Sequence, residues 1–210
     1  MYAEFHDADG TRRLPESDWE ALITTRGYAA VVFDCDGTLV ESADAHFRAF
    51  QDAVAAQGEV LDRDWYRQRT GLDRHSLLSE FADAAGPGFD VPRAVADSIA
   101  AFGDHVHLVR PIPRMADLLM RVSSLVPVAV GTNAETAVAS ASLTATGLSD
   151  AIRLIVSISD GLPPKPSPDI FATAARRLQV QARDTLVIED STQGVAAARA
   201  AGMDVLLVRG

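Results

Sequence analysis

The chain has 210 residues, 48% of them hydrophobic, which is enough to bury the core of one domain or of one domain with an insert. Its formal charge of -10 argues against nucleic acid or an anionic membrane as partner, though a cleft of locally opposite field can still draw in a small anion. A single cysteine excludes an internal disulfide, no apolar run reaches membrane-spanning length, and the acidic, polar start does not read as a secretory leader, so a cytoplasmic location is expected.

Along the chain, residues 1–28 carry no clear period, and only a short helix is expected over 15–23, with Pro15 in its first turn. Asp7-Ala8-Asp9-Gly10 reads as a loop. Residues 29–33 (AAVVF) are an apolar run of strand length that ends at Asp34-Cys35-Asp36-Gly37. Residues 42–58 read as a helix with Phe47, Phe50 and Val54 on one face and Gly58 as its stop. From there to about residue 107 only helical patterns occur, the best at 74–86 and 92–106, with a Gly-Pro-Gly break at 86–88. After Pro111, a helix marked by Ile112, Met115, Leu118, Leu119 and Val122 opens a new rhythm. Strands at 126–132, 152–158, 185–189 and 205–208 alternate with helices at 134–147, 168–180 and 193–202. This alternation predicts an α/β fold, a Rossmann-like parallel sheet core of residues 1–42 and 108–210. An α-helical domain, residues 43–107, is inserted after the first strand. Trp19 and Trp65 read as packing residues, and Cys35 as a small hydrophobe pointing into the core.

Ligands on such sheets bind at the carboxyl ends of the strands. There stand Asp34 and Asp36, then Thr132 and Asn133, then Lys165 a short loop beyond the third strand, then Glu189 and Asp190. All but one of the 19 basic residues are arginine, which makes Lys165 the sole ammonium side chain. Residues two apart on an extended backbone point to the same side, so Asp34 and Asp36 crowd two like charges unless a cation binds or one keeps its proton. Gly37 lets the chain turn close to a ligand. Carboxylate oxygens suit magnesium beside a phosphate, and a lysine can balance the phosphoryl charge. The set suits phosphoryl transfer in which one aspartate attacks phosphorus and the other gives and takes a proton. Asp-Gly alone is common in turns, and neither Asp-x-Asp-Gly copy is a calcium loop: Phe5 and Ala43 stand where ligands belong.

In that order, DCDGTLVES, VGTNAE, KPSPDIF and VIEDSTQGVAAARAAGM resemble the four motifs of the haloacid dehalogenase-like phosphohydrolase superfamily, over about residues 29–208. The resemblance implies Asp34 as nucleophile, Asp36 as acid and base, Thr132 as phosphate ligand and Lys165 as charge-balancing lysine. It also implies Mg2+ held by Asp34, the Asp36 carbonyl, Glu189 and Asp190. The position of the insert resembles the helical-cap subgroup, in which ADAHFRAF and TGLDRHSLL resemble cap segments of β-phosphoglucomutases and sugar-phosphate phosphatases. That implies His46 beside the leaving group, with Gly71 and Arg74 on a cap loop reaching into the site; Asn133 joins the substrate-binding set.

Within the superfamily, the second aspartate argues against a haloacid dehalogenase, and a cap without lysine argues against a phosphonoacetaldehyde hydrolase. Mutases of the subgroup carry Ser-Lys where this chain reads Ala134-Glu135, which places an acid where a second phosphate would need a cation. The expected function is a magnesium-dependent phosphatase of a small phosphorylated sugar or sugar acid, with a β-phosphoglucomutase-type phosphomutase as the alternative. A non-catalytic binding module would be favoured by loss of a catalytic residue, and none is lost. A phospho-acceptor receiver domain would lack the large insert.

Overall fold

The structure is a computed structural model that describes residues 2–208. It begins with strands β1 (Tyr2–Asp7) and β2 (Gly10–Pro15), helix α1 (Trp19–Arg26) and strand β3 (Ala30–Phe33). A short strand β4 (Val40–Glu41) leads into helices α2 (Ala43–Ala55), α3 (Arg63–Arg67), α4 (Arg74–Ala85) and α5 (Val91–His105). The chain returns through β5 (Arg110–Pro111), α6 (Pro113–Ser123), β6 (Val128–Thr132), α7 (Thr136–Ala145) and β7 (Leu154–Ser157). It closes with α8 (Asp169–Leu178), β8 (Thr185–Glu189), α9 (Thr192–Ala200) and β9 (Asp204–Val208).

Seven strands form one sheet in the order β2-β1-β9-β8-β3-β6-β7. The five from β9 to β7 are parallel, as the alternation of strands and helices predicts. All residues of β3, β6 and β8 are buried, because helices cover both faces and leave no side for polar alternation. The strand period still sorts the side chains. Val31, Phe33, Leu186 and Ile188 enter the core under α1, α6 and α7, while Val32 and Val187 enter the one under α8 and α9. Cys35 is fully buried in the first of these cores, as expected.

The N-terminal segment holds more regular structure than the one short helix expected there. Residues 2–15 form a β-hairpin whose first strand pairs antiparallel with β9, extending the sheet by two strands. Ala3 and Phe5 fill the core from this strand, and the next inward position is Asp7, which is 4% exposed. That acid is tolerated because Arg12 and Arg26 each donate to its Oδ2 at 2.7 Å and the Asp9 amide donates to its Oδ1 at 3.0 Å. Asp7-Ala8-Asp9-Gly10, expected as a loop, is the turn of this hairpin. The helix expected over 15–23 is shifted as well: Pro15 ends β2, a single 3-10 turn spans Glu16–Asp18, and α1 starts at Trp19, which packs into the core.

Between β4 and β5 the chain holds only helices and loops. β4 and β5 pair antiparallel, Val40 with Pro111 and Glu41 with Arg110, so the outgoing and returning segments run side by side. The helices α2–α5 enclose their own core around Phe47, Phe50, Val54, Tyr66, Leu78 and Phe81. Trp65 packs edge-on against Phe81. Among the described residues, no helix is long and apolar enough to cross a membrane.

Candidate active site

The carboxyl ends of β3, β6 and β8 and the loop after β7 converge on a cavity of about 460 Å³, roofed by residues of α2–α4. At its floor the Lys165 ammonium, 7% exposed, donates to Asp34 Oδ1 at 2.5 Å, Glu189 Oε1 at 2.7 Å and the Gly131 carbonyl at 3.2 Å. The other oxygen of Glu189 accepts from the Ser191 amide and hydroxyl, at 2.7 and 2.8 Å. Asp190 stands beside them and accepts from the Thr38 hydroxyl at 3.3 Å.

Asp34, Glu189 and Asp190 each present an oxygen within 4.8 Å of the others. Three carboxylates faced by one ammonium leave an excess of negative charge, and the titration directions register it. Burial, assisted by Glu189 and Asp190, holds the Asp34 carboxyl well above its usual range against the pull of Lys165. Burial and the Glu189 charge push Asp190 up to about 6. Burial works against the Lys165 charge, yet Asp34 and Glu189 together raise its pKa. Two glycines permit this crowding. Gly37 lies at φ +90°, and a Cβ there would come 2.3 Å from Asp190 Oδ2; a Cβ on Gly194 would come 1.8 Å from Glu189 Oε1. Hard oxygen donors in this number and in excess charge fit a magnesium-class cation.

Asp36 is turned away from that cluster. Its Oδ1 accepts from the Ser42 hydroxyl at 2.6 Å and faces His46 Nε2 at 3.2 Å. Burial would raise its pKa, but the His46 charge and the hydrogen bonds of His46 and Ser42 outweigh that and hold it low. His46 reaches this position from α2, its ring 4.7 Å from that of Phe102.

The remaining residues predicted from sequence also meet the cavity, in differing states. Thr132 is buried at the end of β6, where its hydroxyl accepts from the Ala134 amide at 3.0 Å. Asn133 lines the cavity, but its side chain is engaged by Lys165: Oδ1 accepts from the Lys165 amide at 2.8 Å and Nδ2 lies 3.4 Å from the Lys165 carbonyl. The side chain thus braces the lysine loop. Gly71 and Arg74 line the roof, and Arg74 is 4% exposed. Its Nε donates to Glu135 Oε2 at 3.0 Å and its Nη1 to Ser98 Oγ at 3.0 Å. Ser42, Tyr66 and Arg69 line the cavity too and were not singled out from sequence. Ser42 carried a signal, since a serine just before a helix reads as a cap; here its hydroxyl goes to Asp36 instead. For Tyr66 and Arg69, on a short helix and the loop after it, no sequence period indicates which way they face.

A model of the family described as haloacid dehalogenase-like hydrolase matches residues 31–208. The chain is 31% identical to fructose-1-phosphate phosphatase YqaB of Escherichia coli, an alignment covering 87% of this chain and 97% of that protein. It is 30% identical to β-phosphoglucomutase of Bacillus subtilis, over 83% and 80% of the two chains. Among solved structures, CbbY from Rhodobacter sphaeroides in complex with phosphate superposes with a TM-score of 0.79 at 26% identity, over 87% of each chain.

Proposed function

Since the chain belongs to the haloacid dehalogenase-like hydrolase family and is a phosphoric monoester hydrolase, we propose that it removes phosphate from a small phosphorylated sugar or sugar acid by way of an aspartyl-phosphate on Asp34. The observation that carries this reading is the cluster of Asp34, Lys165, Glu189 and Asp190 at the cavity floor, with Asp36 alongside and held by separate partners.

An Asp34 oxygen attacks phosphorus, and the bond from phosphorus to the sugar oxygen breaks. Asp36 gives its proton to the departing oxygen, then takes one from the water that attacks the aspartyl-phosphate; inorganic phosphate leaves and Asp34 is restored. His46, 3.2 Å from Asp36, exchanges that proton with its surroundings. Lys165 offsets charge on the transferring group and on the nucleophile, and Thr132 with nearby backbone amides receives phosphate oxygens. Asp34, the Asp36 carbonyl, Glu189 and Asp190 would hold Mg2+, which supplies Lewis-acid neutralisation of the phosphoryl oxygens when bound. The hydrogen bonds from Lys165 to one oxygen of Glu189 and from Ser191 to the other fix the orientation of that carboxylate in the set. We read α2–α5, roughly residues 43–107, as a cap that closes over the substrate and excludes bulk water.

Hydrolysis rather than phosphomutation is supported by Glu135 on the cavity wall and by the absence of any lysine in the cap. The test is phosphate release from a panel of sugar monophosphates with magnesium. The panel includes β-glucose 1-phosphate primed with glucose 1,6-bisphosphate and read for glucose 6-phosphate. Phosphate release is expected; glucose 6-phosphate without phosphate release would make the enzyme a mutase.

A further inference from the structure

The lysine and arginine side chains that line the cavity are each already engaged by protein groups. Lys165 is held by Asp34 and Glu189. Arg69 donates to Glu80 at 2.8 Å and to the Trp65 carbonyl at 3.0 Å, with its guanidinium 4.0 Å above the Trp65 ring. Arg74 is fixed from the helical side by Ser98 and by the Phe50 ring, 4.7 Å from its guanidinium, and its charge is met from the sheet side by Glu135 at 3.0 Å. Glu135 is 13% exposed, lines the cavity and stands at the N-terminus of α7.

From this arrangement we propose that Glu135 is a specificity-determining residue: by holding Arg74 neutralised inside the cavity, it restricts the far end of the substrate to uncharged, hydroxyl-bearing groups. The proposal rests on the phosphatase reading and narrows it, from sugars and sugar acids to neutral polyol or sugar monophosphates. A second phosphate or a carboxylate at that end would face the Glu135 charge at short range. To pair with Arg74 it would compete with Glu135, and displacing that side chain would leave a largely buried carboxylate unpaired. A sugar hydroxyl meets no such conflict, because Oε2 is the oxygen bonded to Arg74 and Oε1 is left to accept from the ligand.

The test uses the full chain carrying Asp34→Asn to stop turnover, with magnesium, and calorimetric titration of a hexitol 6-phosphate and the corresponding hexitol 1,6-bisphosphate. The monophosphate is expected to bind more tightly. Adding Glu135→Gln, which keeps side-chain volume and removes the charge, is expected to move the affinity ratio toward the bisphosphate by on the order of tenfold or more. Glu135→Asp, which keeps the charge, is expected to retain the monophosphate preference. Equal affinities in the parent would overturn the proposal, as would a ratio unmoved by Glu135→Gln or an equal loss of both ligands, which would mark a purely structural pair. Phosphate release by the wild type from the monophosphate is read separately; its absence beside the expected ratios would contradict the phosphatase reading alone.

Discussion

Replacing Lys165 by methionine removes the one cation at the cavity floor while keeping side-chain length. The ammonium lies among three acceptors: Asp34 at 2.5 Å, Glu189 at 2.7 Å and the Gly131 carbonyl at 3.2 Å. With it gone, two carboxylates that are 5% and 1% exposed face each other, and Asp190 adds a third charge nearby. Removing one partner of a buried ion pair costs about 3–5 kcal/mol, because the other is left desolvated and unpaired. For a chain of this size that corresponds to a fall in Tm of about 6–20 °C. Thermal unfolding without divalent cations measures it. Adding Glu189→Gln to Lys165→Met removes one of the opposed charges and is expected to restore about 1–2 kcal/mol, an interaction that a double-mutant cycle isolates. A single variant within about 1 kcal/mol of wild type, or losses that simply add, would refute the charge-balance reasoning.

Gly194→Ala would ordinarily gain about 1 kcal/mol in a helix; here its Cβ would lie 1.8 Å from Glu189 Oε1, so we expect lower stability and at least about tenfold lower kcat/KM, read by unfolding and phosphate release. Ser42→Ala removes the 2.6 Å bond to Asp36, one of the contacts that hold its carboxyl low. The basic limb of the pH profile of kcat/KM, along which Asp36 loses the proton it must give, should therefore move to higher pH, and a limb that stays in place would deny Asp36 the proton-transfer role. Asp7 is different in kind: burial raises its pKa, but hydrogen bonds from Arg12 and the Asp9 amide and the charges of both arginines outweigh this and depress it. A depressed carboxyl contributes stability that is present above the unfolded pKa, about 3.9, and is lost as pH falls through the folded value. Asp7→Asn should cost about 1–3 kcal/mol at neutral pH, a difference that closes below about pH 4 in acid-unfolding curves. A gap independent of pH would mean that the arginine pairing is not its source.

The parallel core was legible because its strands are buried on both faces and so read as short continuous apolar runs, with carboxylates, a hydroxyl and a lone lysine at their ends. Asp34, Asp36, Thr132, Lys165, Glu189 and Asp190 could be placed together once strand order was read as topology. The hairpin of residues 2–15 escaped for a physical reason: its inward positions are Ala3, Phe5 and Asp7, and the acid is made tolerable by Arg26, nineteen residues away. No local pattern announces that pairing. The roof of the cavity escaped for a similar reason. Arg74 was placed near the site by resemblance and Glu135 was noticed as an acid, but their contact joins residues 61 positions apart. Likewise, no local pattern shows that Asn133, which lines the cavity, also holds the lysine loop through its amide, a contact set by how the segment after β7 folds back.

The most direct test of the central claim is acid quenching of the enzyme during turnover of a sugar monophosphate, followed by mass analysis of its peptides. The account predicts one phosphoryl group on the peptide containing Asp34 and on no other, with neither phosphoenzyme nor phosphate release from Asp34→Asn. Undiminished phosphate release by Asp34→Asn, or a phosphoryl group on a different residue, would contradict it.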